Sequence, residues 1–361
     1  MWKSRRHHAP RRSRWRPRLA AVTAAVSLAA LSAACGTSSA AEDRPASSGG
    51  TGAVLKLQDP GNAGPLAYAK REGILEKRLK AVGASVEWGG SYASFTATVD
   101  AVHSGSVNVL AGAVSPAVGY LANSHDIKIF SVTDPVTDPA APQTDGLVVR
   151  PDSPIRSVKD LVGKQVAVNK GGKGEYLLLL ALEKAGIPVD QVRRVYLNPD
   201  QGASAFATGK VDAWWAIVRA YPEAVARGAR VLVHGRDLDD KDLTILAARD
   251  ELLQRHPEAV RVYLQVLQEL TEEAKKNPEK FENVFLKQGP TAVTGPRLDF
   301  DIATARYANV PRYAEQRDAA DIRQVAGLFR KYGVVSRDVE PADVLFDLRP
   351  AAGAASPAAS G

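Results

Sequence analysis

"VAVNKGGKGEYLLLLALEKAG", residues 166–186, reads as a strand, a glycine loop and a helix. The run from Gln165 to Val168 is short and rich in β-branched residues. Gly171, Gly172 and Gly174 then let the backbone turn tightly with its N–H groups inward. A helix beginning near Glu175 adds N–H groups and the positive end of its dipole, which makes the stretch a candidate anion cradle. It is not a nucleotide loop. The Walker pattern needs a glycine where Ala167 stands and Ser or Thr where Gly174 stands. The pattern G-x-G-x-x-G fails as well, because Leu177 takes the place of its last glycine. A plain β–α turn and an anion cradle are both open readings at this point.

Around this unit the chain repeats one alternation. "VLKLQ", "SVEW", "VNVLAG" and "IKIFSV" alternate with helical runs, and so do "GLVVR", "QVAVN", "VRRVYLN", "VDAWWAIV" and "ARVLVHG". Short apolar strands between helices that end in glycine argue for parallel sheets covered on both faces. Two such stretches make two lobes, with a cleft faced by the loops at the strand C-termini. The acid-rich "GRDLDDKD", residues 235–242, reads as a solvated connection back to the first lobe. "LTILAAR" is then a strand returning to that lobe, and Pro257 opens a helix striped by Val260, Tyr263, Leu264, Leu267, Leu270 and Ala274. Asn277 and Pro278 are expected to cap another helix enclosing Phe281, Val284 and Phe285, and "DAADIRQVAGLFRKYG" a third.

The 361 residues include 47 Lys and Arg against 40 Asp and Glu. Eight of the basic residues and none of the acids fall in residues 1–34, leaving the rest of the chain close to neutral. The basic excess therefore belongs to a leader and excludes a nucleic-acid surface. Behind its charged start runs "LAAVTAAVSLAALSAAC", too short and alanine-rich for a membrane span and ending in a lipobox-like Leu31-Ser32-Ala33-Ala34-Cys35. Cys35 is the chain's single cysteine and the expected lipidation site. The arginine pairs lack the full twin-arginine motif, so Sec and Tat export both stay open. The expected organisation is a signal peptide over 1–35, a flexible tether over 36–52, lobe I over 53–145 and lobe II over 146–242. A return to lobe I with C-terminal helices occupies 243–349, and 350–361 is a disordered tail.

"GKQVAVNKGGKGEYLLLLALEKAG", "VYLNPDQGASAFATGKVDAWWAI" and "ARVLVHGRDL", with "PLAYAKREGILEKRL" and "VDAVHSGSVNVLAG" before them, resemble the solute-binding proteins of ABC importers for aliphatic sulfonates, taurine and nitrate. The resemblance runs through nearly the whole folded region. It implies an α/β, two-lobe type II periplasmic-binding-protein fold, each lobe a sheet flanked by helices, with a helical C-terminal segment. It also implies a monomer, lipid-anchored on the outer face of the cytoplasmic membrane, that hands a small-molecule ligand to permease and ATPase subunits. No cofactor and no nucleic acid enter this reading. Nitrate, a pyrimidine or an amino compound are the alternative ligands. A non-transport enzyme is the alternative activity, since a desulfinase and thiamine-pyrimidine synthases share the scaffold. A cysteine nucleophile is excluded because the only Cys ends the lipobox.

The ligand is expected at Asn62 in the first loop, Ser91 and Tyr92 in "WGGSYASF", Ser115, and the loop Gly172, Lys173, Gly174 and Glu175. Trp214 matches the family position, while Trp215 points to the opposite face of the same strand. Arg219 stands in Ile217-Val218-Arg219, where relatives carry Trp-Asp-Pro, and offers a guanidinium to an anionic group. Gly172 lacks the family's hydroxyl, and Glu175 places a negative charge at the cradle. Glu175 and Arg219 together point to a zwitterionic ligand as readily as to a simple sulfonate. His103, His125, His234 and His256 share no metal-ligand spacing, so no metal site is expected.

Overall fold

The computed structural model describes residues 52–92, 95–289 and 291–350. Cys35, the leader and nearly all of the tether and tail lie outside these residues.

Lobe I begins with β1 (Val54–Leu57), α1 (Pro65–Glu72), α2 (Ile74–Ala81), β2 (Ser85–Trp88) and α3 (Phe95–His103). It continues with β3 (Val109–Ala113), α4 (Val114–Leu121) and β4 (Ile127–Thr133). The helical run after Pro65 is broken in two at Gly73, whose left-handed φ of 63° ends α1 and starts α2. Lobe II holds β5 (Asp145–Val149), β6 (Gln165–Val168), α5 (Lys173–Ala185), β7 (Arg193–Tyr196), α6 (Pro199–Ala207), β8 (Ala213–Ile217), α7 (Ala220–Ala226) and β9 (Arg230–Val233). The chain returns through β10 (Thr244–Arg249) to α8 (Asp250–Arg255), α9 (Pro257–Lys276), α10 (Pro296–Arg306), β11 (Arg312–Tyr313), α11 (Ala319–Lys331) and α12 (Pro341–Val344).

The sheets are mixed rather than parallel. In lobe I the order is β11-β4-β10-β3, with the parallel pair β1-β2 joined through Asn108, whose Oδ1 accepts from Lys56 N–H at 2.7 Å. In lobe II it is β7-β6-β8-β5-β9. β10 runs antiparallel to β3 and β4, and β5 antiparallel to β8 and β9. The reason is connectivity. β5 and β10 each enter a lobe from the crossing segments, residues 134–144 and 234–243, and so run away from the edge toward which β3 and β8 run. The register shows this directly, since Thr244 pairs with Ala113 and Asp145 with Ile217. The loops after β3, β6 and β8 therefore gather where the chain crosses.

One apolar core spans both lobes. Val118 and Leu121 of α4, Leu178 and Leu182 of α5, and Val325 and Phe329 of α11 belong to it, all essentially without exposure. Burying one such Leu or Phe contributes roughly 1.5–3 kcal/mol. Gly119 of α4 faces Gly171 O so closely that a Cβ there would lie 3.6 Å from it, which brings the lobes together on this side. A second core packs α9 on α1 and α2 through Leu75, Leu79, Val260 and Leu264. The helix expected after Pro278 is only a 3-10 turn over Pro278–Phe281, and Phe285 is exposed. The chain turns out at Asn283, φ 49°, where Asn side-chain bonds to Val293 hold the reversal.

Candidate functional site

The glycine loop is built from its own polar groups. Asn169 accepts the Gly172 N–H on its carbonyl at 3.1 Å and the Gly174 N–H on Oδ1 at 3.0 Å. Gly171 sits at φ 62°, and a Cβ at Gly172 would come within 1.7 Å of Asn169 Nδ2. Glu175 is fully buried; its Oε2 accepts the Gly171 N–H at 2.7 Å, and its Oε1 accepts from Arg194 at 2.7 Å and Tyr196 OH at 2.8 Å. Burial and the bond to Glu175 push the Tyr196 hydroxyl up to about 12. Both oxygens of Glu175 are thus engaged inside lobe II. The carboxylate expected to meet a ligand's cation instead braces the loop.

Lys173 and Ser115 both reach the crossing segment at Asp242. Ser115 donates its N–H to Asp242 Oδ1 at 2.6 Å and its hydroxyl to Oδ2 at 2.7 Å. Lys173 Nζ lies 2.8 Å from Asp240 Oδ2 and 3.4 Å from the Asp242 carbonyl. Burial opposes the charge on Lys173, but Asp242, Asp240 and Asp145 together hold its pKa above the ordinary lysine value. Burial lifts the Asp242 carboxyl to about 6 against the pull of Lys173 and the Ser115 bonds. This corrects the reading of "GRDLDDKD" as a merely solvated connection, since Asp242 is 5 % exposed. The alternation of acid and Lys there carries no apolar signal, so its one inward carboxylate is invisible to hydropathy. A cavity of about 560 Å³ adjoins this cluster, lined among others by Asp145, Lys173, Arg236, Asp240, Asp242 and Tyr307. That volume suits a small polar molecule.

Arg219 starts α7 and follows Val218, a β-branched residue held at φ 51° and 66 % exposed. Such a backbone is strained, and the charge of Arg219 beside it acts on Glu282 and Asp301 of the returning segment. There burial pushes Glu282 up to about 7, helped by the charge of Asp301 and opposed by Arg219 and Arg297. Asp301 is raised in the same way, by burial first. Arg297 Nη1 reaches Glu223 Oε1 at 2.8 Å, joining α10 to α7. Asp301 and Arg297 were missed from the sequence because α10 buries no residue and so shows no apolar stripe, and Glu282 because it only ends the short 3-10 turn Pro278–Phe281.

The remaining candidates are placed differently. Asn62 accepts the Phe285 and Leu286 N–H groups and donates to the Leu286 and Thr291 carbonyls, which anchors Phe285, Leu286 and Thr291 to the first loop. Ser91 is exposed, and Tyr92 half-buried against the core that spans both lobes. Trp214 is 4 % exposed and packs on Phe206 of α6, on the face opposite Trp215. The structure therefore gathers Ser115, Lys173 and the glycine loop, sets Arg219 opposite Glu282 and Asp301, and leaves Trp214 under α6. Among the described residues no group of three or more His, Cys, Asp or Glu is arranged to hold a metal ion. No described helix is long and apolar enough to cross a membrane.

The architecture has known counterparts. The alkanesulfonate-binding protein SsuA from Xanthomonas axonopodis pv. citri, solved bound to MOPS, superposes with a TM-score of 0.71 at 21 % identity, covering 82 % of this chain and 98 % of that one. The desulfurization enzyme DSZB shares the fold at a TM-score of 0.55 and 17 % identity, over 82 % of this chain and 96 % of its own. These likenesses establish the two-lobe periplasmic-binding-protein fold. In sequence, a protein named as a putative aliphatic sulfonates-binding protein from Escherichia coli (strain K12) is 31 % identical over 185 residues, 51 % of this chain and 56 % of that protein. The chain spans about half the length of the curated relatives it matches. The NMT1/THI5-like profile matches residues 91–281, from the loop before α3 to the turn after α9. With more than half of its length inside that profile, the chain belongs to the NMT1/THI5-like family.

Proposed function

We propose that this protein is the extracytoplasmic, lipid-anchored solute-binding component of an ABC importer. It captures a small anionic or zwitterionic organic solute between its lobes and delivers it to the permease, with a sulfonate-type solute favoured. The observation that carries the reading is the placement of polar loops from both lobes at the chain crossings: Ser115 from lobe I and Lys173 from lobe II both bond Asp242, and the charge of Arg219 acts on Glu282 and Asp301. A hinged pair of lobes binds a solute most tightly when both touch it, so capture and closure are one event. The likeness to the putative aliphatic sulfonates-binding protein of Escherichia coli supports a sulfonate.

Thermal unfolding with ethanesulfonate, taurine, nitrate, a pyrimidine and several amino acids, followed by calorimetry on each hit, tests the capture. Stabilisation by the sulfonates alone is the expected result. Stabilisation by another class replaces the sulfonate, and none by any compound removes the capture reading. Anchoring rests on the lipobox-like run ending at Cys35. Cys35→Ala should move the protein from the membrane fraction into the medium, and retention equal to wild type would dismiss the anchor.

A further inference from the structure

The α4 end of the cleft is already occupied by an anion, and that anion belongs to the chain. Val114 N–H donates to the Leu243 carbonyl at 3.0 Å, while the next amide and the Ser115 hydroxyl hold the two oxygens of Asp242. Ser115 is fully buried and Asp242 nearly so. Lys173 approaches from lobe II, with Nζ 3.4 Å from the Asp242 carbonyl oxygen. An amide and a hydroxyl converging on one carboxylate, with an ammonium beside it that pairs with Asp240, are the donors that a sulfonate or carboxylate ligand would seek. The opposite lobe repeats the arrangement: Glu175 takes the Gly171 N–H, and Asn169 takes those of Gly172 and Gly174.

We propose that Asp242 is a specificity-determining residue: its carboxylate fills the oxyanion seat made by the Ser115 amide and hydroxyl beside Lys173, so a captured solute meets α4 without an oxyanion of its own there. The inference rests on the capture reading for its biological meaning but not for its test. A compact oxyanion entering this seat would have to displace a bonded carboxylate and leave it buried without its donors, which is strongly unfavourable. The part of the solute near α4 is then neutral or cationic.

Removing the tethered anion should let a free one take its place. D242A empties the seat while Ser115 and Lys173 remain; D242N keeps it filled by a neutral group of the same shape. Wild type and both variants are compared by thermal unfolding and calorimetry in sodium formate against chloride at equal ionic strength, with no solute present. Formate is expected to bind D242A saturably, at least tenfold more tightly than wild type or D242N, and to raise its Tm by about 2 °C or more. Should D242A fold only when refolded in formate, the rescue is the same. Formate acting alike on all three proteins, or D242A staying unfolded in formate as in chloride, overturns the proposal. Since no solute is used, this result is read independently of whether any sulfonate binds.

Discussion

Arg297 on α10 and Glu223 on α7 stand 2.8 Å apart, so an ion pair links the C-terminal part of lobe I to lobe II. Both side chains keep about a third of their surface or more in contact with solvent. Such a pair contributes modestly, about 0.2–1 kcal/mol. Because opening the lobes separates its members, that energy acts on the open–closed balance rather than on either lobe alone. Arg297→Ala should therefore shift the balance toward the open form by about 1.5- to 5-fold. Small-angle scattering of the unliganded protein measures this as a larger radius of gyration. A variant as compact as wild type would mean that the shared core of α4, α5 and α11 alone keeps the lobes together.

Glu175 offers a sharper test, because its carboxylate is fully buried. Replacing it by Gln leaves the Arg194 guanidinium without its carboxylate and weakens the hold on Gly171. A buried pair broken from one side costs about 3–5 kcal/mol, and the partial exposure of Arg194 reduces this to about 1–3 kcal/mol. Urea unfolding of Glu175→Gln should show that loss. Any effect on solute affinity should then be the same for zwitterionic and purely anionic solutes, because the loop loosens for both. Selective loss of zwitterions, read by titration calorimetry, would restore Glu175 as a direct contact.

The two lobes were legible because α5 and its neighbours announce themselves by period and punctuation: the apolar run of residues 176–182 between glycine turns could hardly be anything but a buried helix. The mixed strand order was not, because β5 and β10 look like any apolar strand; only their entry from the crossings sets their direction. At the site, sequence singled out Ser115, Lys173 and Arg219 but misread what surrounds them. Asp242 sits in an acid-rich run of solvated appearance, and its burial is imposed by Ser115, 127 residues earlier. Glu282 and Asp301 lie on a turn and a helix without an apolar face, where no local pattern marks an inward side. Charges at a crossing of distant segments are specified by the fold, not by their neighbours in the chain.

Glu282 and Asp301 make the stability depend on pH in a direction opposite to that of an ordinary paired carboxylate. Burial, then the charge of Asp301, lifts Glu282 to about 7, against the opposing pull of Arg219 and Arg297. Between the ordinary glutamate value of 4.5 and about 7, the folded protein keeps a proton that the unfolded chain has released. The folded state therefore binds more protons, and stability falls as pH rises through that window and levels off above it. Glu282 is only partly shielded from solvent, so the loss attached to it is about 1 kcal/mol rather than the full linkage value. Glu282→Gln carries a neutral amide at every pH and should flatten this part of the profile. Denaturant unfolding of both proteins at intervals from pH 4.5 to 7.5 measures the difference. Parallel profiles would show that Arg219 and Arg297 hold Glu282 ionised throughout, and that any retained proton is not its own.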